Sequence, residues 1–150
     1  MYSNYACGAA IGISGGGLPH RVMEDLQILN PSELFAVPRT LVKIFSKFKG
    51  IIAEQKEDIQ LQVSDTVKTG VVSEEVQGLF AKLREVLGGN IQRILTGSAT
   101  VLPEIVHFLR LVLKCEIVVG YGLTECAGVT FYTPKGDKSS GHVGSPLSAL

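Results

Sequence analysis

IQRILTGSATVLPEIVHFLRLVLKCEIVVGYGLTE, residues 91–125, holds the pattern that decides the fold. Ile91 to Leu95 is an apolar run of strand length, followed by a turn at Thr96-Gly97-Ser98-Ala99. Pro103 opens a helix at a position where its missing N–H is harmless, and the helical spacing runs to Leu113. Glu116 to Val119 is then a second strand. Strand, helix and strand in this order form a βαβ unit, with parallel strands and a right-handed crossover. Gly97-Ser98-Ala99 and Gly120-Tyr121-Gly122 both follow the carboxyl ends of their strands, so two glycine turns share the rim where open α/β sheets bind ligands. Beside the second turn stand a hydroxyl and a carboxylate, Thr124 and Glu125, a pair suited to a phosphate and its metal ion. The expected class is α/β, a layered domain with a largely parallel sheet and flanking helices.

Upstream, Leu34 to Val37 is short enough to be a buried strand, and Pro38 starts a helix. Val37, Leu41, Ile44, Phe45 and Phe48 recur at helical spacing, with Arg39, Lys43 and Lys47 on the opposite, solvated face. Residues 54–73 are polar with weak periodicity and read as a helix tail and a variable loop. Ser73 caps a helix that carries Glu74 and Glu75 in its first turn, a stripe from Val76 to Leu87, and Gly88-Gly89 at its end. At the start, Ala6 to Ile13 reads as a buried helix end or strand, Gly15-Gly16-Gly17 as a tight turn, and Glu24-Asp25 as part of a short helix. The glycines do not form G-x-G-x-x-G, which argues against a dinucleotide-binding domain. Downstream, residues 130–150 read as a rigid glycine and proline loop able to close over the crevice.

The chain has 150 residues, 45% hydrophobic and 19% charged, enough to bury a core. Its 14 basic and 14 acidic residues cancel, so no global field draws nucleic acid. Cys7, Cys115 and Cys126 are an odd number without C-x-x-C spacing, which argues against a disulfide framework and a zinc site and favours a reducing, cytoplasmic compartment. A plain buried thiol is the expectation for Cys115 and Cys126, and a structural or exposed ring for His107. No run approaches the roughly 18 apolar residues of a transmembrane helix. Apolar residues begin at once at the N-terminus and SPLSAL closes without a helix, so a domain incomplete at both ends is expected.

VPR at 37–39, LTGSA at 95–99, GYGLTE at 120–125 and GHVGSP at 141–146 together resemble adenylate-forming enzymes, and among them long-chain fatty acid–CoA ligases. Y-G-x-T-E is the most specific element, and the likeness covers essentially the whole chain, within the large N-terminal domain of such enzymes. The resemblance implies activation of a fatty acid with ATP and magnesium to an acyl-adenylate, then transfer to coenzyme A. It places Tyr121 against adenine, Thr124 on the phosphate and Glu125 on magnesium, the latter two being the catalytic pair. Gly97, Ser98, Ala99, Gly120 and Gly122 complete the nucleotide wall, and Gly97, Gly122 and Gly144 shape the acyl pocket. Peripheral contact with the cytosolic face of an intracellular membrane is compatible with such a substrate.

The family's Ser/Thr/Gly-rich phosphate loop with its lysine is not in this sequence, nor are its ribose-binding aspartate and C-terminal lysine. Charge developing on the α-phosphate would therefore lack most of its stabilisation, and the chain alone is expected to be inactive. The alternative is a non-catalytic nucleotide-binding, acyl-binding or interaction module derived from such an enzyme.

Overall fold

The computed structural model describes residues 8–13 and 21–147. The βαβ unit forms as the spacing dictates: β2 (Arg93–Thr96), α5 (Pro103–Leu113) and β3 (Glu116–Leu123), with β2 and β3 parallel. Ahead of it come α1 (Arg21–Leu29), β1 (Glu33–Phe35), α2 (Pro38–Ala53), α3 (Glu57–Thr69) and α4 (Glu74–Glu85). After it come β4 (Gly128–Tyr132) and β5 (Ser145–Pro146). The five strands lie side by side in chain order. β1, β2 and β3 are parallel, whereas β4 and β5 extend the sheet in antiparallel fashion.

The pleat sorts the side chains of the parallel half. Leu34, Ile94 and Ile117 are in register, and Ile94 and Ile117 are fully buried in one core with Leu41, Ile44 and Phe48 of α2, Phe80 and Leu83 of α4, and Phe108 and Leu109 of α5. Phe45 meets Phe108 edge to face, with ring centroids 5.1 Å apart, and the Lys49 ammonium sits 5.2 Å from the Phe108 ring centre. Burial of α5 is nearly continuous because its mostly apolar face packs on both sheet and neighbouring helices. The other sheet face carries a row of Phe35, Leu95 and Val118 and a row of Glu33, Arg93 and Glu116. Arg93 bridges both carboxylates, at 2.7 Å to Glu33 and 2.9 Å to Glu116. The Arg93 hydrogen bond holds the Glu116 carboxyl below its ordinary range.

Several local expectations are corrected by this packing. Residues 57–69 are helix, not loop: Val63 and Thr66 turn inward, and the left-handed Gly70 closes the last turn. The stripe is hard to read because one of its buried positions is a threonine. The segment 34–37 is less buried than its composition suggests, since Phe35 and Val37 are 60% and 55% exposed at the sheet edge. Residues 8–13 have no regular structure, and the turn expected at Gly15-Gly16-Gly17 lies outside the described residues. Ser73 does cap α4, accepting the Val76 N–H. Arg39 and Lys47 are solvated, while Lys43 is half-buried.

Two contributions to stability separate by burial. Phe108→Ala removes a ring that is 1% exposed and should lower unfolding free energy by about 3–5 kcal/mol, read from the urea midpoint. Glu116→Gln removes a partly exposed ion pair and should cost less than about 1 kcal/mol at neutral pH. Because the Glu116 pKa is lowered in the fold, that contribution is present above the unfolded carboxylate range and disappears as pH falls through the folded value.

Candidate active site

The carboxyl ends of β2 and β3 open onto a cavity of about 370 Å³. That volume lies within the roughly 300–1,000 Å³ typical of small-ligand sites. Ser98 and Ala99 come to it from the β2 end, Gly120, Tyr121 and Gly122 from β3, and Gly141, His142 and Val143 from the loop before β5. The loop thus flanks the crevice, as its glycine and proline content suggests. Ser98 holds a left-handed φ of 73°, an uncommon conformation for a residue with a side chain, and it turns the chain sharply out of β2.

The stretch expected as a turn at Gly120-Tyr121-Gly122 is strand. β3 runs on to Leu123 because β4 pairs with it, Gly120 opposite Tyr132 and Gly122 opposite Val129, with an irregularity between Tyr121 and Gly122. The reversal lies further on, in a 3₁₀ turn over Thr124–Cys126 that ends at a left-handed Ala127. Glycine content argued against a strand, but here glycine is what allows one. A Cβ on Gly122 would stand 1.8 Å from the Gly128 carbonyl oxygen, and one on Gly97 would stand 2.7 Å from that of Gly120. At Gly144, where φ is +84°, a Cβ would fall 2.0 Å from the Tyr132 carbonyl oxygen. These three glycines are required first by neighbouring backbone, not by empty space in the cavity.

Tyr121 is 47% exposed on the cavity wall and meets Phe131 edge to face at 6.2 Å, so the cavity is bordered by a partly exposed aromatic ring. Thr124 and Glu125 are exposed on the 3₁₀ turn just beyond the cavity's β3 wall. Among the described residues no three His, Cys, Asp or Glu side chains gather as a metal cage. A single exposed carboxylate suits a hard cation whose other ligands are water and phosphate oxygens, which is how magnesium is commonly held. The partly exposed aromatic ring on the cavity wall and the exposed hydroxyl and carboxylate beyond it are the kinds of group that a magnesium-bound nucleotide would require.

The model of the AMP-binding enzyme family matches residues 1–150. The chain belongs to the AMP-binding enzyme family. Rat long-chain-fatty-acid–CoA ligase 6 is 34% identical over 154 aligned residues, covering 95% of this chain and 22% of the relative. This chain thus spans about a fifth of the length of the curated relatives it matches. The A-PCP didomain of carboxylic acid reductase from Segniliparus rugosus, solved with AMP, is 30% identical with a TM-score of 0.52. That match covers 74% of this chain and 14% of the reductase structure. An anthranilate CoA ligase solved with anthranoyl-AMP shares the fold at 12% identity, with a TM-score of 0.62 over 94% of this chain and 21% of its own.

Within this member of the family, Ser98, Ala99, Gly120, Tyr121 and Gly122 meet at one cavity, while Gly97, Thr124, Glu125 and Gly144 stand outside its lining. Sequence reasoning missed Arg110, which lines the cavity and donates to the carbonyls of Ile117, Lys138 and Ser139. Its signal was the one Lys or Arg in a mostly apolar helix. His107 is exposed and its Nε2 lies 3.0 Å from the Val67 carbonyl oxygen, a structural role as expected. Cys115 is buried, and burial pushes its thiol up to about 12. Cys126, expected to be buried, is exposed because the hairpin turns it out to solvent.

Two outcomes follow from these contacts. A thiol reagent at neutral pH should label Cys126 and leave Cys115 unmodified in the folded chain, as located by peptide mass spectrometry. Gly122→Ala should lower stability by at least about 2 kcal/mol in urea unfolding, because the clash is with backbone that cannot rotate away.

Proposed function

We propose that the chain forms the nucleotide-facing part of an ATP-dependent long-chain fatty acid–CoA ligase, within the enzyme's large N-terminal domain. The observation that carries this reading is the convergence of Ser98-Ala99 and Gly120-Tyr121-Gly122 on one cavity, with Thr124 and Glu125 beyond its β3 wall. The names of the relatives supply the acyl and coenzyme A chemistry, and the AMP bound to the carboxylic acid reductase supplies the nucleotide.

In this reading Tyr121 stacks on adenine, Thr124 donates to a phosphate oxygen and Glu125 gives magnesium a carboxylate oxygen. When bound, the metal neutralises phosphate charge. Gly120 belongs to the same nucleotide wall, and Gly97, Gly122 and Gly144 let backbones close up so that the acyl group has a continuous boundary. No helix among the described residues is long and apolar enough to cross a membrane. Action in the cytoplasm, with surface contact at the cytosolic face of an intracellular membrane, matches a substrate that partitions into lipid.

The 150-residue chain contains neither the phosphate loop nor the C-terminal lysine of the family, so it lacks the cations that would stabilise charge on the α-phosphate. ATP–pyrophosphate exchange by the isolated chain should be undetectable, and measurable exchange would overturn its proposed dependence on those missing groups. In a ligase that carries this sequence with those two elements, Glu125→Ala should lower fatty acid-dependent exchange by about 100-fold or more with unchanged circular dichroism. Normal exchange in that variant would remove Glu125 from the site.

A further inference from the structure

Beyond β4 the chain makes a hydrogen-bonded loop whose side chains reach the cavity. Ser139 Oγ lies 2.6 Å from His142 Nε2 and is also bonded to Asp137 Oδ1, while Asp137 Oδ2 is 3.6 Å from the same ring nitrogen. The Gly144 N–H donates to His142 Nδ1 at 2.9 Å. From α5, Arg110 Nη1 donates to the Lys138 and Ser139 carbonyls at 2.9 and 2.8 Å, and its Nη2 donates to the Ile117 carbonyl at 2.8 Å. The loop is thereby tied to the helix and to the strand that border the cavity.

These partners fix where the protons are. A backbone N–H can only donate, so His142 Nδ1 must present a lone pair. The neutral ring then carries its proton on Nε2 and donates it to Ser139 Oγ, whose own proton goes to the Asp137 carboxylate. His142 is therefore not a base toward Ser139, and the three side chains resemble a hydrolytic triad in composition alone. A second proton on the ring would sit on Nδ1, facing the Gly144 N–H donor to donor.

We propose that His142 is a positioning residue that, when neutral, holds residues 139–144 in place along the cavity and, when protonated, releases the Gly144 N–H and loosens that wall. Asp137 faces the ring from its own loop, the charged and titratable residues that share its cavity lining among the described residues are Arg110 from α5 and Tyr121 from β3, and β4 presents the backbone of Tyr132 to Gly144. The donor conflict at Nδ1 follows from the hydrogen-bond geometry alone. The effect on a ligand rests on the nucleotide and acyl reading of the cavity, whereas the proton order and the release of Gly144 do not.

The test is nitrogen-15 NMR of the chain with labelled histidine, together with hydrogen exchange at the Gly144 amide. At about pH 8 His142 should be in the Nε2–H form with Gly144 protected, and protection, corrected for intrinsic exchange, should fall about tenfold as the ring is protonated. Amides of α5 provide the reference for the fold. Ser139→Ala, which deletes the acceptor of Nε2–H, should likewise speed Gly144 exchange at about pH 8 without altering α5. An Nδ1–H ring at that pH, or Gly144 protection that ignores both the charge on His142 and the serine deletion, would overturn the proposal. Neither readout needs a ligand, so the ligase reading can fail without affecting them.

Discussion

The backbone of β3 is approached on both sides so closely that no side chain fits between. Gly97 at the end of β2 faces the Gly120 carbonyl, and Gly122 faces the Gly128 carbonyl across the hairpin. Gly144 repeats the constraint one strand further out, against the Tyr132 carbonyl. The cavity exists where it does because these contacts bring three chain segments, widely separated in sequence, to the end of one strand. Side-chain chemistry is added to that frame: Tyr121 stands between Gly120 and Gly122, and Thr124 and Glu125 follow directly.

Such a frame has to be held by something more rigid than itself. The helical layer does this through Ile94 and Ile117, which are fully buried and anchor the roots of β2 and β3 beside Phe108 and Leu109 of α5. A buried isoleucine at each strand root fixes strand position to within packing tolerance. The exits of the strands are then left free to be polar, exposed and conformationally unusual. Ser98, with its left-handed φ, is the local sign of that division of labour. Arg110 links the layers, since its stem belongs to the apolar helix and its guanidinium satisfies carbonyls of both β3 and the outer loop.

The parallel half of the fold was legible because its information is local. Ile91 to Leu95, Pro103 to Leu113 and Glu116 to Val119 each carry their own period and length, and α5 begins and ends where proline and spacing place it. The antiparallel half was not, because its strands exist through pairing with distant residues and through glycine at positions where propensity disfavours strand. Gly120-Tyr121-Gly122 therefore read as a turn, and β4 and β5 read as loop. α3 was hidden for a different reason: its inward positions include Thr66, whose burial follows from neighbours that no local pattern names. Of the site, the two converging glycine segments were readable from topology alone. The contribution of Arg110 was not, since it depends on the loop that closes back onto α5.

The same division explains why recognition of a ligand and reaction upon it can be carried by different parts of a chain. Shape at this cavity is set by backbone contacts within residues 96–144, so it is specified wherever those strands pair. Stabilising developing phosphate charge depends instead on cations fixed at the reacting atoms, which strand pairing does not provide. Lys135 and Lys138 are exposed, and Arg110 is held by three backbone carbonyls, so the cations near this cavity belong to the architecture of its loop or to solvent. On the proposed reading, a glycine-built wall with a hydroxyl and a carboxylate beside it is a half-site in the physical sense: it would orient a nucleotide, while the charge that makes the nucleotide reactive would come from cations fixed at the reacting atoms.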